Sequence, residues 1–153
     1  MITTAPPTVF DCQHLMSNLR PHDEAEVVAL GGRTATELWD AVRASHEAQA
    51  VFEDGKLVCI YGINPHPAKC VGIVWLLGTP LLDSRMISLC KQAREVIARW
   101  QQSFAVLTNC TDSRNTRILV WLRWLGFRLV GAIPVNGHNF IQFEKTTCAT
   151  QSR

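Results

Sequence analysis

The sequence predicts an α/β fold, a mixed sheet of about six or seven strands with helices on both faces. Three observations lead there. The run Cys70-Val-Gly-Ile-Val-Trp-Leu-Leu77 is apolar without polar alternation, as a strand buried on both faces and central in its sheet would be. A long helix follows, with Met86, Leu89, Cys90, Ala93, Val96, Ile97 and Trp100 at three- and four-residue steps, and then a short strand over residues 105–109. Such a strand–helix–strand crossover implies a parallel pair. Two hairpins, about Asp54-Gly55 and Asn136-Gly137, flank this unit, because those residue pairs accept the positive φ of tight β-turns.

The remaining elements follow in order. Thr8-Val9-Phe10 reads as a short strand after Pro6-Pro7. Asp11 is an N-cap for a helix reaching about Leu19, and Pro21 stops it. Residues 20–32 keep no clear period. Asp23, Glu24 and Glu26 read there as a solvated turn, ahead of an apolar stretch and the Gly31-Gly32 break. Thr34 and Glu37 have capping-box spacing, which predicts a helix over 36–46. Residues 49–53 and 56–63 make the first hairpin, and 64–69, with Pro65 and Pro67, a loop. Asp83 or Ser84 can cap the long helix. A last helix over 115–125 ends at Gly126, a natural C′ residue. Residues 128–135 and 138–144 make the second hairpin. Residues 1–145 are thus one domain and 146–153 a polar tail.

Composition narrows the function classes. A chain of 153 residues that is 47% apolar and 18% charged can bury a full core and does not read as disordered. A net charge of +2 gives no argument for nucleic acid or an anionic membrane. Six cysteines without a C-x-x-C pair or zinc spacing point to reduced thiols in a reducing compartment. No leader is expected, and no apolar run reaches the roughly 20 residues of a membrane span. The five histidines are scattered, and neither a G-x-S-x-G elbow nor a G-x-x-x-x-G-K-[ST] loop is present.

The run Asn115-Thr-Arg-Ile-Leu-Val-Trp-Leu-Arg-Trp-Leu-Gly126-Phe127, joined to the element order, resembles the closing helix and fold of GNAT-type N-acetyltransferases. The resemblance implies an acetyl-CoA cleft between the fourth and fifth strands. It implies Leu77, Gly78, Thr79, Arg85, Asn109 and Asn115 as cofactor-binding residues. The sequence departs from the family in two places. The family binds pyrophosphate on a Q/R-x-x-G-x-G/A loop, through bare N–H groups at a helix start. The run Leu77-Gly-Thr-Pro-Leu-Leu-Asp-Ser84 keeps Gly78 but carries Pro80 and Asp83. Leu122 stands where a tyrosine commonly protonates the departing thiolate, and leucine transfers no proton. Catalytic residues are therefore not assigned.

A narrower resemblance, through Leu76-Leu77-Gly78-Thr79, Asn109, His14-Leu15 and Asn18-Leu19-Arg20, is to the podovirus internal virion protein A family. It implies a phage protein of virion assembly, in the host cytoplasm or the virion, with a degenerate acetyl-CoA site or no cofactor. Two other readings stand beside it: a working acyl-CoA-dependent N-acetyltransferase, and a module that binds a host protein. The last helix is apolar nearly all round, so Trp121 and Trp124 are the candidate partner-binding residues. The sequence leaves any homo-oligomer open.

Overall fold

The computed structural model describes residues 1–147. Seven strands form one sheet: β1 (Ile2–Ala5), β2 (Glu47–Glu53), β3 (Lys56–Pro65), β4 (Val71–Gly78), β5 (Val106–Asp112), β6 (Arg128–Val135) and β7 (His138–Thr146), in the order β1-β2-β3-β4-β5-β7-β6. β4 and β5 are parallel and every other neighbouring pair is antiparallel. The helices are α1 (Val9–Ser17), α2 (Pro21–Ala29), α3 (Ala35–Ala44), α4 (Cys90–Trp100) and α5 (Thr116–Trp124), with a 3₁₀ turn over Pro80–Ser84. The mixed sheet with helices on both faces is the predicted fold class.

Alternation along β4 feeds two cores. On one face α4 and α5 pack Ile97, Trp100, Trp121 and Leu122 against Val74 and Leu107. On the other, α1 and α3 bring Cys12, Leu15 and Leu38 onto Ile60 and Leu77. Trp121 is buried and its indole N–H donates to the Met86 carbonyl at 2.8 Å. It is thus a core residue, which corrects its expected place on a partner surface. Trp124, next to Val120 in space, is the half-exposed one.

Several boundaries differ from the sequence expectation, each for a physical reason. Thr8 is not in a strand: it caps α1 in a box with Asp11, which is N3 rather than the N-cap. The first strand is instead Ile2–Ala5, held by antiparallel pairing to β2. Pro21 does not stop a helix but opens α2 at its first position, where its missing N–H costs nothing. α4 begins at Cys90, so neither Asp83 nor Ser84 caps it. Met86 and Leu89 are buried without being helical, which is why their spacing suggested an earlier start. Most of the expected tail lies outside the described residues.

One buried ion pair fixes α2 against the sheet. Arg20 and Asp23 are both almost fully buried. The Arg20 guanidinium donates from Nε to Asp23 Oδ2 at 2.7 Å and from Nη2 to Asp23 Oδ1 at 3.2 Å. Its Nη1 donates to Asp83 Oδ1 at 3.1 Å. The backbone joins in: Arg20 N–H donates to the Gly78 carbonyl at 2.9 Å, and Gly78 N–H donates to Asp23 Oδ2 at 2.8 Å. The turn before α2 is therefore fastened to the last residue of β4.

At the far edge, β6 carries a bulge between Leu129 and Gly131, and Pro134 pairs with Asn139. The hairpin closes at Val135↔His138, so Pro134 turns its nitrogen away from β7 toward the open edge.

This packing sets what substitution costs at three positions. Asp23→Ala strands a buried guanidinium and an amide, and should cost about 3–5 kcal/mol in urea unfolding, whereas Arg20→Met with Asp23→Leu should recover a good part of that. Trp121→Ala should cost about 3–5 kcal/mol. Trp124→Ser should stay within about 0.5 kcal/mol of wild type.

Candidate active site

Paired backbone ends abruptly in the middle of the sheet. β4 and β5 pair at Val71↔Val106, Gly72↔Leu107 and Ile73↔Thr108, then part. Strand alternation decides which groups this exposes. Thr79 N–H donates to the Val58 carbonyl and His66 N–H to the Val71 carbonyl, so odd-numbered residues of β4 bond to β3. Val74, Leu76 and Gly78 therefore turn their peptide groups toward β5. On β5, Thr147 N–H donates to Ala105 and Ser113 N–H to Asn139, so Cys110 and Asp112 face back across the gap.

Side chains fill most of these positions. At the fork, Asn109 Nδ2 donates to the Val74 carbonyl at 2.7 Å, and Cys110 N–H donates to Asn109 Oδ1 at 2.7 Å. One side-chain amide thus stands in for a missing peptide unit between the strands. Farther out, Asp23 takes the Gly78 amide on the β4 side. On the β5 side, Asp112 N–H donates to Glu26 Oε1 at 3.0 Å. Asp23 and Glu26 lie one turn apart on α2, on the same face. The helix bridges the split with a carboxylate on each bank. Between them Leu76 keeps its N–H and C=O toward the gap, and no side chain among the described residues bonds to them.

The two carboxylates have different surroundings. Asp23 is forked by Arg20. Glu26 has no cation bonded to it among the described residues, and burial pushes its pKa from 4.5 up to about 7. The Asp112 N–H and the Thr111 hydroxyl oppose that rise, while the charges of Asp23 and Asp112 add to it. Asp112 itself is held low by the Arg114 guanidinium, which donates from Nη2 to Oδ2 at 2.6 Å. A cleft of about 960 Å³ runs through the split, and Glu26, Asn109, Cys110, Leu76 and Leu122 line it. The thiol of Cys110, in this cleft, is raised by burial.

The residues expected to hold a cofactor are spread over several tasks. Leu77 is in the α1/α3 core. Gly78 is locked to α2, and a Cβ there would meet Leu82 Cδ2 at 2.4 Å. The Thr79 hydroxyl donates to the Leu57 carbonyl at 2.9 Å. Arg85 points to Glu53, donating from Nε to Oε1 at 2.7 Å. Asn109 spans the fork. Asn115 is buried and caps α5, its Oδ1 accepting from Ile118 N–H at 3.2 Å. Leu122 is buried in the core, as its apolar side chain requires.

The segment directly ahead of α4 is residues 85–89, several positions later than the run read as a phosphate loop. α4 opens with no side-chain cap and no acid in its first turn. Arg85, Ser88 and Cys90 have the spacing of the family's Q/R-x-x-G-x-G/A loop, with serine and cysteine where the glycines stand. Sequence reasoning also missed Glu26. The acidic residues around it looked like a solvated turn; Glu24 is exposed, but Asp23 is buried and Glu26 partly so. The one available signal was Pro21 ahead of two acids, a good helix start.

No protein-family model matches the chain, and no curated protein does. Solved structures match over nearly the whole length. The ribosomal-protein-S18-alanine N-acetyltransferase from Escherichia coli superposes with a TM-score of 0.73 at 10% identity, covering 100% of this chain and 99% of that one. A GNAT-family acetyltransferase from Streptococcus pneumoniae gives 0.67 at 13%, covering 96% and 100%. The aminoglycoside acetyltransferase AAC(6')-Ib in complex with coenzyme A gives 0.67 at 13%, covering 95% of each. Nothing among these supports the narrower resemblance to podovirus internal virion proteins. At such identities the likeness speaks for architecture, and the chain has the fold of the GNAT acetyltransferases.

Proposed function

We propose that the protein is an acyl-CoA-dependent N-acyltransferase in which Glu26 is the general base. The observation that carries this reading is the carboxyl of Glu26, lodged in the split between β4 and β5 with its pKa near 7. A base poised near neutrality is half ionised at working pH, yet basic enough to take a proton from an amine as its nitrogen bonds to carbon.

The residues of the cleft fit an acyl-CoA. Leu76 offers an unpaired N–H and C=O on the β4 edge, the groups a chain of amides needs to lie beside a strand. The uncapped start of α4 supports an anion such as pyrophosphate, through the N–H groups of Lys91 and Gln92 and the helix dipole, Cys90 N–H being already bonded to the Ile87 carbonyl. Bound acyl-CoA would supply the acyl group as a thioester, activated toward amines. Glu26 accepts the proton that the attacking amine releases. The fork amide of Asn109 ties β5 to β4 where the strands part, at the base of the cleft that Glu26 and Leu76 both line. Leu122 offers no proton to the departing sulfur, which leaves that proton to solvent. Ser88 and Cys90 carry side chains where the family loop has bare glycines, so the phosphates depend on fewer close backbone contacts.

Three results test this. Acetyl-CoA at about a hundred times its dissociation constant should stabilise the fold by roughly 2.7 kcal/mol, read as a rise in melting temperature, and no shift at millimolar ligand would sink the reading. Glu26→Gln, which keeps an acceptor for Asp112 N–H, should lower kcat by about a hundredfold or more without changing that shift. The wild-type rate should climb as pH passes through about 7. The same substitution has a signature in stability. Glu26 binds its proton more tightly folded than unfolded, so its contribution is fully present below pH 4.5 and is lost as pH rises through 7. Glu26→Gln should therefore melt higher than wild type at pH 8, with the advantage shrinking toward pH 5.

A further inference from the structure

We infer that the acceptor is a small amine with an apolar body and a carboxylate close to its nitrogen, the chemistry of an apolar α-amino acid, and that Arg33 holds the carboxylate. This rests on the acyl-transfer reading and names the substrate class of the same cleft.

On the α1/α3 face of the sheet, the cleft around Glu26 is lined by Val27 and Leu30 of α2, Ala41 of α3, and Ile73 and Trp75 of β4. The one amide in that wall is already engaged: Asn64 Nδ2 donates to the Ala41 carbonyl at 2.9 Å, and Trp75 Nε1 donates to Asn64 Oδ1 at 2.6 Å. The indole thus presents carbon rather than N–H to the cleft. Such walls favour an aliphatic or aromatic side chain.

Charge decides the rest. Arg20 is tied to Asp23 and Asp83, and Arg99 to Glu47. Arg33 is exposed, lines the same cleft, and forms no ion pair or side-chain hydrogen bond among the described residues. It follows directly on Gly31 and Gly32, at φ +99° and +87°, whose N–H groups bond to the Val28 and Val27 carbonyls and close α2. A planar guanidinium in that position suits a carboxylate, which it can take with two parallel N–H bonds. Negative charge is correspondingly sparse. Asp23 is spent on Arg20, and Glu47 on Arg99 and the Trp100 indole N–H. Glu95 lines the cleft from α4, on the opposite face of the sheet. Asp112 is paired with Arg114, so among the described residues only Glu26 remains beside the split on the α2 side, and it is the proton acceptor. A polyamine or aminocyclitol would find no second carboxylate to bind there.

The test compares L-leucine, L-leucinamide and spermidine as acceptors, by thiol release from acetyl-CoA, in wild type and Arg33→Gln. Wild type should prefer leucine to leucinamide by about tenfold in kcat/KM, and Arg33→Gln should erase that preference by raising KM for leucine about tenfold with kcat kept. Leucinamide should be unaffected by the substitution. Equal use of the acid and the amide by wild type, a preference for spermidine, or a loss on both leucine acceptors in Arg33→Gln would each overturn the inference. The melting shift with acetyl-CoA separates the two levels. A shift without turnover of leucine removes the acceptor class and leaves acyl transfer standing, whereas no shift removes both.

Discussion

Two parallel strands that part inside a sheet leave peptide groups that neither a neighbouring strand nor bulk water satisfies, and a buried orphan of that kind costs as much as a lost hydrogen bond. Here the parting begins beyond Ile73 and Thr108, and the structure answers it with side chains. Asn109 closes the fork. Asp23 takes the amide on one bank and Glu26 the amide on the other. The position of α2, the shape of the cleft and the environment of Glu26 are all consequences of this one requirement.

The two carboxylates of α2 divide the labour. Asp23 shares the buried guanidinium of Arg20 and so fastens the helix. Glu26 reaches the same kind of backbone donor three residues later without a cation, so burial governs its titration instead. Neutral at acid pH, it costs the fold little. Ionised above neutrality, it destabilises the native state and becomes able to accept a proton. A strained charge next to a securely paired one is a common arrangement where a helix must be rigid and one of its groups reactive.

How much of this was legible in the chain differs by element. The apolar run of β4, the Asp-Gly and Asn-Gly turns and the Gly126 stop are local signals, and each marks its element correctly. α2 was hidden because its inward residues are acids, whose partners lie 55 and 86 residues away in sequence. No local period could reveal that burial. The start of α4 was misread for the opposite reason: Met86 and Leu89 are buried at helical spacing while belonging to irregular chain. Asn109 was expected to end its strand, whereas β5 runs on to Asp112, and its role as a bridge depends on the divergence of two strands, which only the assembled sheet contains.

The proline at the outer edge of the sheet has a consequence of another kind. β6 turns the ring nitrogen of Pro134 outward, and a bulge at Leu129/Gly131 breaks the regular spacing of its remaining outward groups. A strand from a second molecule would meet a missing donor and a register it could not match. The exposed Val130 and Ile133 on this strand are thereby kept from seeding a continuous intermolecular sheet. For a chain so apolar, that single residue is a safeguard during synthesis and concentration, when unpaired strands are most prone to fibrillar stacking.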